Sequence, residues 1–237
     1  MNSTSQRACA WAGFVVVALL LVAMGPAAGF LPPLRPGDSA AEIAAIYQER
    51  ATGIRISTVL ILFGGACFAA FTAAIAAQMR RMEHRATPVL TYLQLVCGGS
   101  VIVVFISVAV CWSVAAFRPD RNPELVQLLN DLGWFWFLMT ATLPALQNAA
   151  LGFAILGDRA ARPVMPRWLG FFSLWIAVLF LPGLLLTFFK TGPFAWNGLL
   201  AFWIPFFAFG AWFLVVGVQL LKAIGQQEQL QSSGRSA

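Results

Sequence analysis

The chain has 237 residues, 60% of them apolar and 10% charged, against roughly 45–50% and about 25% in an ordinary soluble domain, which excludes a water-soluble globule. The formal net charge of +6 would suit nucleic acid if the cations were spread over one soluble surface. They lie instead in short segments between apolar runs, so no nucleic-acid partner is expected.

Six apolar runs can be drawn, at about 11–30, 56–78, 89–116, 132–156, 168–189 and 196–221. A bilayer core about 30 Å thick is crossed by about 20 helical residues. Continuously apolar runs without alternation are helices rather than barrel strands. The expected fold is therefore all-α, an integral membrane bundle of six transmembrane helices with two short amphipathic helices on the outer face. It forms one domain over residues 1–222, followed by a polar, frayed cytoplasmic tail, 223–237.

The first run, in "MNSTSQRACAWAGFVVVALLLVAMGPAAGF", has a basic start and small residues at Ala27 and Ala28, as a signal peptide would. Its length and the charge balance below favour a retained first helix; cleavage is the alternative. The next segment, "LPPLRPGDSAAEIAAIYQERATG", places Glu42 three residues after Ser39, the spacing of a capping box. Ile43, Ile46 and Tyr47 then make an apolar face, and Gly53 is placed to end this outer helix. Run two carries Gly64-Gly65, and run three Gly98-Gly99. Small residues of this kind let helices approach closely.

The segment "FRPDRNPELVQLLND" echoes the first outer helix: Arg118-Pro119, Asn122 and Glu124-Leu125 stand where Arg35-Pro36, Ser39 and Glu42-Ile43 stood. An internal repeat of helix pairs and generic helix-start chemistry both account for the echo. In run four, "TATLPALQNAALG", Pro144 removes one helical hydrogen bond and is expected to free the carbonyl of Thr140. Gln147 and Asn148 follow within a turn. They either pair with freed backbone and neighbouring helices, or form with Thr140 a ligand pocket at a broken helix. Pro182-Gly183 in run five and Pro205 in run six are further interruptions, which either let helices pack closely or, as kinks together with Pro144, make a central cavity. Trp11, Trp112, Trp134, Trp136, Trp168 and Trp196 lie near helix ends, as interfacial rings do, whereas Trp175, Trp203 and Trp212 lie deeper.

The inner segments hold nine cations (Arg7, Arg80, Arg81, Arg85, Arg159, Arg162, Arg167, Lys222, Arg235) against Glu83, Asp158 and Glu228. The outer segments balance six cations with six acids. The net charge of +6 thus falls on one side, which orients both termini to the cytoplasm of a cell inner (plasma) membrane. The lipid bilayer is the evident partner, with other membrane subunits or a hydrophobic ligand as further candidates.

Catalytic donors are sparse. The single histidine, His84, lies in a basic loop, and Cys9, Cys67, Cys97 and Cys111 are not at ligand spacing. No run contains Asp or Glu, and Lys190 and Lys222 sit at run ends. No catalytic residue, metal or cofactor is assigned. The densest polar set is on the outer face, with Arg35, Asp38, Glu42, Arg118, Asp120 and Glu124 at its centre. It serves either as an interlocked lid or as weak solvated pairs.

The stretches "LRPGDSAAEIAAIYQERATGIRI", "FRPDRNPELVQLLNDLGW" and "KTGPFAWNGLLAFW" resemble a family of uncharacterised bacterial multi-pass membrane proteins, mainly actinobacterial. The resemblance implies an integral membrane protein and no particular activity. The expected role is non-catalytic, as a complex subunit or a binder of lipid or a hydrophobic small molecule. Alternatives are a small-solute transporter or channel using Gln147 and Asn148, and a lipid-modifying enzyme using outer-face Arg and Asp or Glu.

Overall fold

The computed structural model describes residues 3–83, 86–118 and 120–233. His84, Arg85, Pro119 and Arg235 lie outside the described residues, and with them the loop setting expected for His84. All regular secondary structure among the described residues is helical: α1 (Ser3–Val22), widening into a π turn over Ala23–Ala27, α2 (Ala40–Glu49), α3 (Ala51–Met82), α4 (Val89–Phe117), α5 (Pro123–Met139), α6 (Thr142–Gly157), α7 (Arg167–Phe180), continued by a tighter 3-10 segment over Leu181–Phe188, and α8 (Ile204–Ser233), preceded by a π turn over Leu199–Trp203. Among the described residues six stretches are long and apolar enough to cross a membrane: Ser3–Ala27, Ala51–Met82, Val89–Phe117, Pro123–Gly157, Arg167–Phe188 and Leu199–Leu230. The chain is a multi-pass membrane protein.

An even number of spans returns the chain to the side it started from. The Arg7 guanidinium donates to the Glu228 carboxylate at 2.6 Å, tying the start of α1 to the end of α8. This end of the bundle is the terminal end below, and the other is the distal end. The tail expected to fray is helical as far as Ser233. A second tie explains part of that order, since Gln78 of α3 donates to Gln6 at 2.7 Å and to Gln227 at 3.2 Å.

α2 starts as the capping box requires. Ser39 N–H donates to the Glu42 carboxylate at 2.7 Å, and Glu42 N–H donates to Ser39 Oγ at 3.3 Å. Gly53, however, does not end this helix. α2 stops at Glu49, and α3 begins one residue past Arg50. Gly53 lies in the first turn of α3 against the Ala27 carbonyl, where a Cβ would collide with that oxygen. Its role is close backbone approach between two spans.

The second outer amphipathic segment opens as expected, with Asn122 Oδ1 accepting from Glu124 N–H at 2.9 Å and Pro123 at the first helical position. It is continuous with the span that follows, because no proline lies between Glu124 and Met139 and the one glycine there, Gly133, stays helical where it packs against Trp112. The two echoing segments pack on each other. Gln127 Nε2 donates to the Asp38 carbonyl at 3.0 Å, and Tyr47 Oη donates to Asn130 Oδ1 at 3.2 Å.

α3 and α4 form an antiparallel hairpin held at both ends. At the distal end Arg55 donates to the Ala116 and Phe117 carbonyls at 2.8–3.2 Å, satisfying the last acceptors of α4. At the terminal end the Glu83 carboxylate accepts from Leu90 and Thr91 N–H at 3.1 and 2.8 Å, so an anion sits at the positive start of α4.

The tryptophans divide differently from their chain positions. Trp112, Trp134 and Trp196 are buried, forming with Phe30 and Tyr47 an aromatic plug at the distal end. Trp196 Nε1 donates to the Leu34 carbonyl at 2.7 Å, which seats the α7–α8 connection on the segment before α2. Trp11, Trp136 and Trp168 are exposed, and so is Trp175, which lies deeper in its run.

Candidate functional site

The last three spans each depart from regular helix, and the departures meet. Between α5 and α6 the chain breaks at Thr140-Ala141. Pro144 has no N–H to donate to the Thr140 carbonyl, and its ring crowds that oxygen. The oxygen is not left free: it accepts from Leu143 N–H at 3.1 Å in a tight turn, and Thr140 Oγ1 donates to the Trp136 carbonyl at 2.9 Å. In the third-last turn of the next span, Pro182 and Gly183 open the 3-10 segment. A Cβ on Gly183 would stand 3.0 Å from the Leu138 carbonyl, so this segment lies directly on the end of α5. The final span enters through a π turn, with Phe202 and Trp203 N–H both donating to the Gly198 carbonyl, and then meets Pro205.

Pro144, Gly183 and Pro205 all line one cavity of about 90 Å³ in the distal half of the bundle. Leu20 and Met24 of the first span, Ile61 of α3 and Val101, Val104 and Phe105 of α4 complete its wall, with Phe137, Phe202, Phe206 and Phe209 adding aromatic surface. Among the described residues lining it, Thr140 alone carries a side-chain hydroxyl, which is already donated to Trp136. A cavity with so little polar lining, its one side-chain hydroxyl already donated elsewhere, holds water poorly and favours apolar matter.

Comparison with family models, with curated proteins and with solved structures finds no match to the chain. The functional reading therefore rests on the geometry.

Of the residues expected at a broken-helix pocket, Thr140 lines the cavity, whereas Gln147 and Asn148 do not. The two amides belong to a separate buried polar cluster toward the terminal end. Asn148 Nδ2 donates back to the Pro144 carbonyl at 2.9 Å. Gln147 Nε2 reaches Thr72 Oγ1 at 3.5 Å, and Gln94 Nε2 reaches the Thr72 carbonyl at 3.4 Å, both at the long limit of a hydrogen bond. These contacts join α3, α4 and α6 at the level where Gly98 lets α4 close on Thr72. Gln94 and Thr72 escaped the sequence reading, although a lone amide within an apolar run was a signal for Gln94.

The outer polar set is dispersed by the fold. Asp38 accepts from Arg35 N–H at 3.1 Å, and Glu42 is occupied by Ser39. Glu124 lies in the first turn of α5, Arg118 ends α4, and Asp120 is in the turn between them. Among the described residues no ion pair joins these side chains. α2 meets α5 through neutral groups, the Gln127 amide and the Tyr47 hydroxyl. The Ser39 amide and hydroxyl hold the Glu42 carboxyl below its ordinary range, and burial pushes the Tyr47 hydroxyl well above its own, with Asp131 adding to the effect. Neither arrangement supplies a poised acid or base.

Proposed function

We propose that the protein binds the end of one apolar chain, such as the terminal few carbons of a lipid acyl or isoprenoid tail, in the distal-half cavity, and that its role is non-catalytic. The observation carrying this reading is the convergence of three helix interruptions on one apolar cavity. Each interruption weakens a membrane helix, and a bound chain would restore the lost packing contacts. The protein is further proposed to reside in a bacterial inner membrane with both termini cytoplasmic, because the cationic excess lies at the terminal end, and to belong with the actinobacterial family its loop motifs resemble.

Native mass spectrometry of the gently solubilised protein tests the reading. A copurifying apolar adduct is expected on the unaltered chain and is expected to be lost from Val104→Trp, which fills the cavity. An adduct that survives this substitution in folded protein would overturn the assignment, as would reproducible turnover by the isolated chain. Ala201→Phe, filling the opposite wall, provides a second variant.

A further inference from the structure

We propose that a groove at the terminal end, between the α6–α7 loop and α8, holds the headgroup of an anionic phospholipid. The groove has a volume of about 330 Å³ and is lined by residues 163–167 of the loop and α7 together with Gln219, Lys222, Ala223 and Gln226 of α8. Its charged residues are Arg167 and Lys222, both cations and both exposed. The acid of this loop, Asp158, is turned away: it is buried, and its two carboxylate oxygens accept from Ala160 and Val164 N–H at 3.0 and 2.9 Å. Those bonds fold the loop back on itself and leave the groove positive. Gln219 and Gln226 flank Lys222 at helical spacings of three and four residues, so their amide donors share its face. A guanidinium, an ammonium and two amides together suit the oxygens of a phosphodiester.

The surfaces leading away from the groove select a lipid over a soluble phosphate. On α7, Arg167, Phe171 and Trp175 recur every four residues, and the two aromatic rings are 60% and 62% exposed. On α8, Lys222, Val218 and Leu214 recur in the same way in the opposite chain direction, again with exposed apolar side chains. α7 and α8 are neighbours in the bundle. Each cation thus heads an apolar stripe running toward the membrane interior, the arrangement needed to seat a headgroup and its acyl chains together.

The test presents the detergent-purified full chain with equimolar phosphatidylglycerol and phosphatidylcholine and reads bound lipid by native mass spectrometry. Preferential retention of phosphatidylglycerol is expected. In Arg167→Gln/Lys222→Gln the preference is expected to fall about tenfold or more, since each surface cation contributes independently. Arg159→Gln/Arg162→Gln removes the same charge from the loop outside the groove and is expected to keep the preference, with circular dichroism and melting as fold controls. Should the first double variant not fold, Lys222→Gln alone, on an exposed helix face, is expected to lower the preference. Equal retention of both lipids by the unaltered chain, equal loss in the two double variants, or inorganic phosphate binding as tightly as the lipid would each overturn the proposal. Val104→Trp is expected to leave this preference intact, which separates the groove from the central cavity.

Discussion

Asn130 is buried where α5 meets the aromatic plug, and every polar group it carries is used. Its side chain accepts from Tyr47 and donates to Asp131 at 3.1 Å, while its carbonyl lies 3.4 Å from Trp112 Nε1. Asn130→Ala would leave the Tyr47 hydroxyl buried without an acceptor and is expected to destabilise the fold by about 1–3 kcal/mol, read as a lower melting temperature in detergent. Glu42 makes a different prediction. Its folded pKa is lowered by Ser39, so its contribution is present above the unfolded value of roughly 4.3 and is lost as pH falls through the folded value. Protection of the amides at the start of α2, taken relative to their intrinsic exchange rates, is therefore expected to fall in acid below that range, and Glu42→Gln is expected to flatten this pH dependence; an unchanged profile in the variant would refute the assignment.

At the scale of elements, the close approach of α6 and α7 depends on a reciprocal glycine pair. A Cβ on Gly152 would lie 2.9 Å from the Gly170 carbonyl, and one on Gly170 would lie 3.1 Å from the Gly152 carbonyl. Gly152→Leu is expected to force the helices apart at a cost of about 1–3 kcal/mol, measured by thermal or denaturant melting in detergent. The break before α6 depends on Pro144 in the same local way. Pro144→Ala returns an N–H that can reach the Thr140 carbonyl, so α5 and α6 are expected to join into one helix. The expected readouts are slower amide exchange around Thr140 and reduced retention of the apolar adduct, because one wall of the cavity is then straightened.

For the whole molecule, the distribution of charge predicts orientation. Reporter domains fused to either terminus are expected to be active only in the cytoplasm, and fusions in the distal loops only outside. A fusion result placing the termini on opposite sides would contradict the six-span count. The two ends of the bundle are also built differently. The distal end is closed by buried aromatic rings over the cavity, while the terminal end is tied by amides and the Arg7–Glu228 pair and carries the cationic groove.

The number of spans, their ends to within nine residues, the Ser39 capping box, the Asn122 cap and the end carrying excess charge were all readable from the sequence. Length of apolar run, local spacing and charge count are properties of neighbouring residues, and they survive any tertiary arrangement. The direction in which each helix faces was not readable, because in a bilayer the lipid-facing and protein-facing sides are both apolar and the amphipathic signal vanishes. That is why Trp112, Trp134 and Trp196 read as interfacial rings when they form the plug, and why the sequence left Gln147 and Asn148 between bonding within the bundle and joining Thr140 at a pocket, when packing gives them the first and leaves Thr140 alone on the cavity wall. Pro144, Pro182-Gly183 and Pro205 announced three interruptions along the chain, but only packing of the spans decided that these interruptions face one another, since contact between residues so far apart is set by the bundle and not by any local preference.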